Sequence, residues 1–244
     1  MGTLEGRRIL VAGGASGIGR ATVVMCAGAG ARVAVIDRNA WSGEPKPAAA
    51  SIADVRDTAA VNAGVAAAAE AMGGIDGVVY CPAVDFGATL RETKDEDWER
   101  LLDINLTGAM RVCRAALGAF PPDGGTMVLV ASAAGLRPLP LRSAYCAAKA
   151  GLVMFAKVLA QELAGENIRV NALCPGPVDT ALFRANFENA ADPEAELASF
   201  RERYAMRRIA DTDEIARCVV FLTGRDSSFV TGAALAADGG RVFH

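Results

Sequence analysis

The sequence predicts a single α/β domain that spans residues 1–244. Strand-like and helix-like patterns alternate from one end of the chain to the other, and hydrophobic residues make up 52% of its composition. A chain of this length and composition can bury one sizeable core. Alternating strands and helices are typical of a sheet that carries helices on its faces. We therefore expect one α/β domain and no second one.

The first strand and the first helix of this domain enclose a glycine-rich turn. The strand covers Arg8–Ala12, the turn holds Gly13, Gly17 and Gly19, and the helix ends around residues 28–30. A strand, a glycine turn and a helix in this order direct backbone N–H groups and a helix N-terminus at a phosphate. The glycine spacing differs from the general dinucleotide pattern Gly-x-Gly-x-x-Gly, so the turn by itself indicates only a phosphate site.

The second strand, residues 32–36, ends at Asp37, eighteen residues after Gly19. A carboxylate in this position can accept hydrogen bonds from both ribose hydroxyls of an adenosine. Because the same charge would repel a 2′-phosphate, the sequence favours NAD over NADP. Arg38 beside it leaves NADP as the second possibility.

The rest of the chain continues the alternation. Asp54 follows Asp37 by only seventeen residues, so this connection is expected to be coil rather than a full crossover helix. The elements that follow are a helix through Glu70, a strand over residues 76–80, a long helix holding Trp98 and Asn105, a strand ending at Ser132, a helix holding Tyr145, and a strand over residues 168–173.

Ser132, Tyr145 and Lys149 form the candidate catalytic group. Tyr145 and Lys149 are four residues apart and so share one face of a helix, and Ser132 ends the hydrophobic run 126–131, which predicts a buried strand. A free phenol titrates near ~10, and an ammonium held close to it can lower its pKa toward neutrality. Tyr145 is therefore expected to act as a proton shuttle, with Lys149 adjusting its pKa. The alternative is a partly buried tyrosine beside a solvated lysine.

Charge and apolar patterning exclude several kinds of partner. The formal net charge of -3 offers no basic footprint for nucleic acid or for an acidic membrane. No apolar run reaches the ~18 residues of a membrane span, and residues 1–8 lead into the first strand without the apolar region of a signal peptide. We therefore expect a cytoplasmic protein that binds a small-molecule substrate and neither nucleic acid nor membrane.

The six cysteines lack paired spacing, which is typical of reduced core residues rather than of a disulfide framework or a zinc site. The only histidine is His244. This excludes hydrolysis by a Ser-His-Asp triad and metal sites built on histidine. The sequence therefore predicts no metal, and a general base of another type.

These motifs follow the order found in short-chain dehydrogenases/reductases, and the whole chain resembles the single-domain members of that family. The resemblance implies a Rossmann fold, with a doubly wound parallel sheet of about seven strands. It also implies hydride exchange between NAD(P) and a secondary alcohol or its ketone.

The family's functional positions map onto this chain residue by residue. Asn105, Ser132, Tyr145 and Lys149 match the catalytic set, in which the lysine also binds ribose and the asparagine holds a water that links Lys149 to solvent. The positions that match cofactor contacts are Gly13, Ser16, Gly17, Ile18, Gly19, Asp37, Asp54, Val55, Pro82, Tyr145, Lys149, Pro175, Gly176, Val178 and Thr180.

Two segments depart from the family's pattern. Ala12 stands where a threonine is usual, and Tyr80-Cys81-Pro82-Ala83 stands where Asn-Asn-Ala-Gly is usual. The usual asparagine ties neighbouring strands together, and the usual glycine lets the cofactor approach closely. The departures therefore concern the end of the sheet and the adenosine pocket, and they leave the catalytic residues in place.

Several segments of the C-terminal third bear on the substrate: Val178-Asp179-Thr180 through Asp192-Pro193-Glu194, Phe200 and Arg203, then Asp213-Glu214-Ile215-Ala216 and Val230-Thr231-Gly232. In these segments the chain resembles cytosolic type 2 3-hydroxybutyrate dehydrogenases. The resemblance implies a mobile lid at about residues 181–208. Arg142 and Arg203 match positions that bind a substrate carboxylate in that group, whereas Asn186 replaces a further arginine. Two guanidinium groups suit a small hydroxy or keto acid through paired hydrogen bonds to its carboxylate. A 2-keto-3-deoxy sugar acid is a variant, because Asn186 could accommodate hydroxyl groups.

Other interpretations stay open at this point. The pocket could serve neutral ketones, polyols or 3-oxoacyl thioesters, and Arg203 could belong to a salt-bridged outer helix face. A cofactor-sensing scaffold is an alternative outside the enzymes, although Tyr145 and Lys149 are both present. The family resemblance also implies a homotetramer, assembled through the helices that carry Asn105 and Tyr145 and through the C-terminal strand.

Overall fold

A parallel sheet of seven strands, in the order β3-β2-β1-β4-β5-β6-β7, forms the centre of the computed structural model, which describes residues 3–187 and 192–242. This is the doubly wound Rossmann-type sheet that the sequence predicts. The strands are β1 (Arg8–Ala12), β2 (Arg32–Asp37), β3 (Ala49–Ile52), β4 (Gly77–Tyr80), β5 (Gly125–Val130), β6 (Ile168–Pro175) and β7 (Ala234–Ala237).

Helices cover both faces of the sheet. Within the described residues they are α1 (Gly17–Gly28), α2 (Thr58–Met72), α3 (Asp95–Leu102), α4 (Gly108–Leu117), α5 (Ser143–Glu162), α6 (Ala181–Arg184), α7 (Pro193–Arg201) and α8 (Thr212–Thr223). Residues 38–48, all of them described, contain no helix, as the short β2–β3 connection predicts. The long helix expected around Trp98 and Asn105 is confirmed: α3 and α4 run on from one another without a break, joined by a π-helical turn, Asp103–Thr107, that the sequence did not predict.

Successive residues of the central strands face opposite layers. In β1, Ile9 and Val11 pack with residues of α1 and α8, whereas Leu10 and Ala12 pack with residues of α2, α4 and α5. Because both faces of these strands are buried, they read as continuous apolar runs in the sequence. The core is therefore divided into two layers by the sheet.

The strand order reverses at β1, which pairs with β2 on one side and β4 on the other. In open parallel sheets, ligands bind in the crevice outside the carboxyl ends of the strands at such a reversal. The glycine turn follows β1 directly, Asp37 ends β2, and Ser132 lies two residues beyond β5. The topology therefore brings the predicted site residues to one edge.

A charged cluster fastens the opposite edge of the sheet. The Asp76 carboxylate accepts from Arg7 Nε at 2.6 Å and from Arg8 Nε at 2.9 Å. Arg7 also donates to the carbonyl of Thr223 at 2.8 Å and to the hydroxyl of Thr126 at 3.0 Å. This Asp76 clamp joins β1, β4, β5 and the end of α8 at the amino ends of the strands.

Two features of composition have structural explanations. By length and composition alone, α5 could span a bilayer, but its Leu152 and Ala156 are fully buried in the core layer shared with α2 and α4. Packing against the sheet therefore accounts for the apolar residues on the buried face of this helix. The six cysteines all lie within the described residues, and all are free thiols.

Candidate active site

One cavity of about 740 Å³ opens at the carboxyl edge of the sheet. Its walls contain nearly every residue that the sequence predicts for the site: Gly13, Ser16, Gly17, Ile18, Gly19, Asp37, Asp54, Val55, Pro82, Ser132, Arg142, Tyr145, Lys149, Pro175, Gly176, Val178, Thr180 and Arg203. Asn105 is the exception, because it lies behind the wall and is fully buried. The volume lies within the range of cavities that hold small molecules and cofactors.

The glycine turn is tightly packed by backbone and has no room for side chains. A Cβ atom on Gly13 would lie 2.7 Å from the backbone nitrogen of Pro82, and one on Gly17 would lie 3.3 Å from the Thr180 methyl group. A Cβ atom on Gly19 would collide with the Gly13 carbonyl. Ser16 precedes α1 without capping it through its side chain, and the first turn of α1 carries no acidic residue. The helix N-terminus therefore faces the cavity as an anion-binding element.

The Asp37 carboxylate lies in the wall of the cavity in a fixed orientation. Its Oδ2 accepts from the Ala15 backbone N–H at 2.9 Å, and its Oδ1 accepts from the Asn39 N–H at 2.9 Å. The residue is 8% exposed, so both oxygens are held while their remaining lone pairs face the cavity. This carboxylate can accept hydrogen bonds from ribose hydroxyls, and its negative charge would repel a 2′-phosphate.

Asp54 and Val55 form the neighbouring wall. Arg56 donates to both oxygens of Asp54, the shorter distance being 2.7 Å, and this hydrogen bond lowers the pKa of the Asp54 carboxyl. Val55 is buried, and its side chain lies next to Gly108. Both residues lie where the sequence places adenine contacts, with Val55 supplying the apolar surface.

The structure brings Ser132, Tyr145 and Lys149 together in the middle of the cavity. Lys149 is 1% exposed, its Nζ donates to the Val130 carbonyl at 2.9 Å, and it lies 5.7 Å from the centroid of the Tyr145 ring. The Ser132 hydroxyl oxygen accepts from the Ala134 backbone N–H at 3.1 Å, and its own proton is available for a hydrogen bond to the Tyr145 phenol.

The pKa values of this group correct one expectation. Burial raises the pKa of Tyr145, and the strongest opposing influence is a hydrogen bond with Ser132, not the charge of Lys149. Burial lowers the pKa of Lys149 to about 8. The ammonium is bound to the Val130 carbonyl rather than to the phenol. The predicted lowering of the Tyr145 pKa by Lys149 is therefore wrong for this arrangement: burial raises that pKa, and the hydrogen bond with Ser132 opposes only part of the rise.

Asn105 occupies the π-helical turn between α3 and α4. Its amide nitrogen donates to the Val84 carbonyl at 2.8 Å, and its amide oxygen accepts from the Val84 N–H at 2.9 Å. The side chain therefore fastens the segment after β4 to the turn. The role in a water-mediated proton relay that the family resemblance implies for Asn105 stays a prediction.

Tyr80 explains how the chain accommodates its unusual Tyr-Cys-Pro-Ala segment. The phenol of Tyr80 is fully buried and donates to the Ile104 carbonyl at 2.5 Å, inside the π-helical turn. A widened turn frees a carbonyl that an α-helix would use, so this bond satisfies it. Gly108 then faces the phenol oxygen, where a Cβ atom would collide with it. The tyrosine thus ties β4 to the turn that carries Asn105.

This arrangement predicts that Gly108→Ala destabilises the protein by about 1–3 kcal/mol, because an extra methyl group is forced into a packed site. Adding Tyr80→Phe removes the colliding oxygen and should restore part of that loss. Gly118→Ala is the matched control, since nothing lies within 4 Å of its added Cβ. Urea unfolding of the three variants measures the differences, and equal stabilities for Gly108→Ala and Gly118→Ala would contradict the prediction.

Arg142 lines the cavity as predicted, but its guanidinium is already engaged. Nε donates to the Asp85 carboxylate at 2.9 Å, and one terminal nitrogen donates to the Asn186 side-chain oxygen at 2.6 Å. Asp85 is largely buried, and burial raises its pKa while Arg142 lowers it. Most of the positive charge of Arg142 is therefore compensated before any substrate enters.

The segment predicted as a lid contributes aromatic rings to the wall of the cavity. Phe183, Phe187 and Phe200 pack edge to face with centroid separations of 5.2–5.8 Å, and Tyr204 lies 5.3 Å from Phe200. Arg203 lies over the Phe200 ring at 5.4 Å. Residues 188–191 of the predicted lid lie outside the described residues.

A family model described as Enoyl-(Acyl carrier protein) reductase, a branch of the short-chain dehydrogenases/reductases, matches residues 13–241. The chain belongs to the short-chain dehydrogenase/reductase family. The matched span includes all of the predicted catalytic and cofactor residues, so the resemblance stated from the sequence is confirmed at the level of the family. The narrower likeness to 3-hydroxybutyrate dehydrogenases stays a prediction.

Individual relatives are similar over nearly their full lengths. The 2,5-dichloro-2,5-cyclohexadiene-1,4-diol dehydrogenase of Sphingobium indicum is 37% identical, with 98% of each chain covered. The D-threitol dehydrogenase of Mycolicibacterium smegmatis is 36% identical, with 97% of this chain and 93% of the relative covered. Among solved structures, levodione reductase has a TM-score of 0.93 at 28% identity, with 98% of each chain covered.

This short-chain dehydrogenase/reductase is therefore an enzyme, an oxidoreductase that acts on CH–OH groups with an NAD(P) cofactor. The cradle of Gly13, Gly17 and Gly19, the N-terminus of α1 and the Asp37 carboxylate fit such a dinucleotide. Its sequence and its cavity thus agree on the class of reaction.

Sequence reasoning missed three residues that shape the substrate end of the cavity: Asp85, Tyr204 and Arg241. Asp85 follows the unusual segment after β4, and Arg241 follows β7 by four residues. In a parallel sheet, the residues directly after each strand meet at one edge. That rule could have identified Asp85 and Arg241 as candidates, whereas Tyr204 depends on how the lid folds over the edge.

Proposed function

We propose that the protein is an NAD-dependent dehydrogenase of a small secondary alcohol that carries an acidic group. The observation that carries the cofactor assignment is the Asp37 carboxylate, which two backbone N–H groups hold at the adenosine end of the cavity. A fixed negative charge there supports NAD over NADP, because it repels a 2′-phosphate.

In the proposed reaction, each polar residue of the cavity has a separate role. Bound NAD supplies the acceptor for the hydride that leaves the alcohol carbon. Tyr145, once its phenol has lost its own proton, takes the hydroxyl proton at the phenolate oxygen, and Ser132 donates a hydrogen bond to the substrate oxygen as it becomes a carbonyl. Lys149, mostly protonated at neutral pH with a pKa of about 8, binds ribose and supplies positive charge near the phenol. The reverse sequence reduces the ketone.

Replacing Asp37 by Ala should lower kcat/KM for NAD by about 10- to 100-fold, since hydrogen bonds to a charged group are lost. The value for NADP should fall less or rise, because the repulsion is removed. Initial rates with each cofactor and a saturating alcohol give the ratio. Asp123→Ala, which removes an equal charge from an exposed turn before β5, should leave the ratio unchanged. An unaltered ratio in Asp37→Ala would refute the assignment.

The charges at the substrate end support an acidic substrate, but not through Arg142. Arg142 is paired with Asp85, whereas Arg203 forms no ion pair within residues 3–187 and 192–242. A hydroxy or keto acid, either 3-hydroxybutyrate-like or a 2-keto-3-deoxy sugar acid, would place its carboxylate near Arg203. Absorbance at 340 nm with NAD and a panel of hydroxy acids, diols and polyols tests this class of substrate.

Neutral polyols are the second candidate. The compensated pair Asp85 and Arg142, together with Asn186, offers donors and acceptors for hydroxyl groups without a net charge. The names of the threitol and cyclohexadienediol dehydrogenases point the same way. A higher kcat/KM for diols and polyols than for hydroxy acids of equal length would favour this candidate.

Association into a homotetramer is also proposed. Ala147, Ala150, Met154 and Val158 are exposed along one stripe of α5, at spacings that put them on the same helix face. An exposed apolar stripe supports contact with another copy of the chain. Ala148 and Val153 of the same helix instead belong to the internal core. The cytoplasmic location stays a prediction.

A further inference from the structure

The turn after β7 has a fixed conformation that ends at the cavity. Asp238 is 6% exposed, and its carboxylate accepts from the Gly240 N–H at 2.9 Å and from the Val242 N–H at 2.8 Å. Gly239 and Gly240 have φ angles of 62° and 84°, a region that side-chain-bearing residues rarely adopt. Asp238 and the two glycines therefore determine where Arg241 lies.

Arg241 is held against the aromatic wall of the cavity. Its guanidinium carbon lies 5.8 Å from the centroid of the Tyr204 ring, and its carbonyl accepts from Arg137 at 2.8 Å. Burial raises the pKa of the Tyr204 phenol, while Arg241 and Arg203 oppose that rise through their charges. Both cations therefore act on the same buried ring.

The charges of Arg203 and Arg241 are not compensated by neighbouring carboxylates. Within the described part of the chain, neither guanidinium has a carboxylate oxygen within the 4.0 Å of an ion pair, and this includes Glu196, which lines the same end of the cavity. Arg142, by contrast, has Asp85 at 2.9 Å. Two cations that lie over the neighbouring rings of Phe200 and Tyr204 leave N–H donors for an incoming anion.

We propose that Arg241 and Arg203 together bind the acidic group of the substrate, so that Arg241 determines specificity for a carboxylate-bearing secondary alcohol or its keto acid. This rests on the proposed function. The phenyl rings of Phe183, Phe187 and Phe200 line the same cavity as this pair and Tyr145, and they fit the hydrocarbon part of such a molecule. The carboxylate itself is unchanged by the reaction.

The test compares acids with diols of the same carbon skeleton. The acids are 3-hydroxybutyrate, 4-hydroxypentanoate and 5-hydroxyhexanoate, and their neutral partners are 1,3-butanediol, 1,4-pentanediol and 1,5-hexanediol. Arg241→Gln should raise KM for the best acid by about 10- to 100-fold, because a charge-assisted, two-point contact is lost. The values of kcat/KM for the diols should stay near those of the wild type. Arg217→Gln, an exposed change on α8 outside the cavity, is the control.

Binding is measured separately from turnover. Calorimetry of acetoacetate and 4-oxopentanoate, added to the protein with NADH, should show weaker affinity for Arg241→Gln and Arg203→Gln than for the wild type and Arg217→Gln. Equal affinities, equal losses for acids and diols, or no binding of either keto acid by the wild type would overturn the proposal. Absence of turnover with both substrate series would refute the proposed function instead, and calorimetry would then still decide the anion site.

Discussion

Replacing Tyr145 by Phe is expected to lower kcat by about 10²- to 10⁴-fold, the usual contribution of a positioned general acid or base. In the proposed reaction the phenol oxygen exchanges the proton with the substrate, and it forms a hydrogen bond with Ser132. The phenyl ring of the variant can keep its position near Lys149, whose Nζ lies 5.7 Å from the ring centroid. NADH binding, measured by fluorescence, should therefore be retained while the steady-state rate falls.

Retained turnover in Tyr145→Phe would assign the proton transfer to another group. Ser132→Ala gives a second, independent measurement. Because Ser132 lowers the pKa of Tyr145, its removal should raise that pKa, and the acidic limb of kcat/KM for alcohol oxidation should move to higher pH. A limb that stays in place or moves to lower pH would show that Ser132 does not act on the phenol.

Replacing Gly19 by Ala is expected to weaken NADH binding by about 100-fold or more. The added methyl group would meet packed backbone atoms, which cannot move aside without distorting the turn. The added Cβ would collide with the Gly13 carbonyl and would lie 3.2 Å from the Gly14 Cα. All of these contacts are with backbone, so the turn that faces the cofactor phosphates must open. Fluorescence titration with NADH measures the affinity.

Gly28→Ala is the matched control for this change. Gly28 ends the same helix, α1, and nothing lies within 4 Å of its added Cβ. The control should bind NADH as the wild type does, with stability equal or slightly higher because alanine favours the helix. Similar NADH affinities for the two variants would show that the close approach at Gly19 does not shape the cofactor site.

The sheet and most of the cavity could be predicted because local patterns determine them. Apolar runs such as residues 126–131 mark strands that are buried on both faces, and Asp37 and Ser132 follow such runs directly. In a parallel sheet, that position alone brings side chains to the carboxyl edge. The family resemblance then supplied their roles.

The remaining features depend on contacts between distant segments. The π-helical turn at Asn105 requires Tyr80 from β4 to satisfy the Ile104 carbonyl, 24 residues away along the chain. Arg142 pairs with Asp85, 57 residues away along the chain, and this ion pair compensates the positive charge that the arginine alone would bring to the cavity. Burial decides the pKa values of Tyr145 and Lys149, and the degree of burial is known only once the layers have packed.

The Asp76 clamp has a consequence for how new specificities can arise in this scaffold. Arg7, Arg8 and Asp76 hold the amino ends of the strands together. The cavity residues Asp85, Arg142, Arg203 and Arg241 instead belong to loops at the carboxyl edge of the sheet. Mutations that reshape the loops at the carboxyl edge leave the Asp76 clamp unchanged. Ligand specificity and thermodynamic stability thus depend on separate sets of residues. This makes the chain a suitable starting point for directed evolution that is confined to the loops around the cavity.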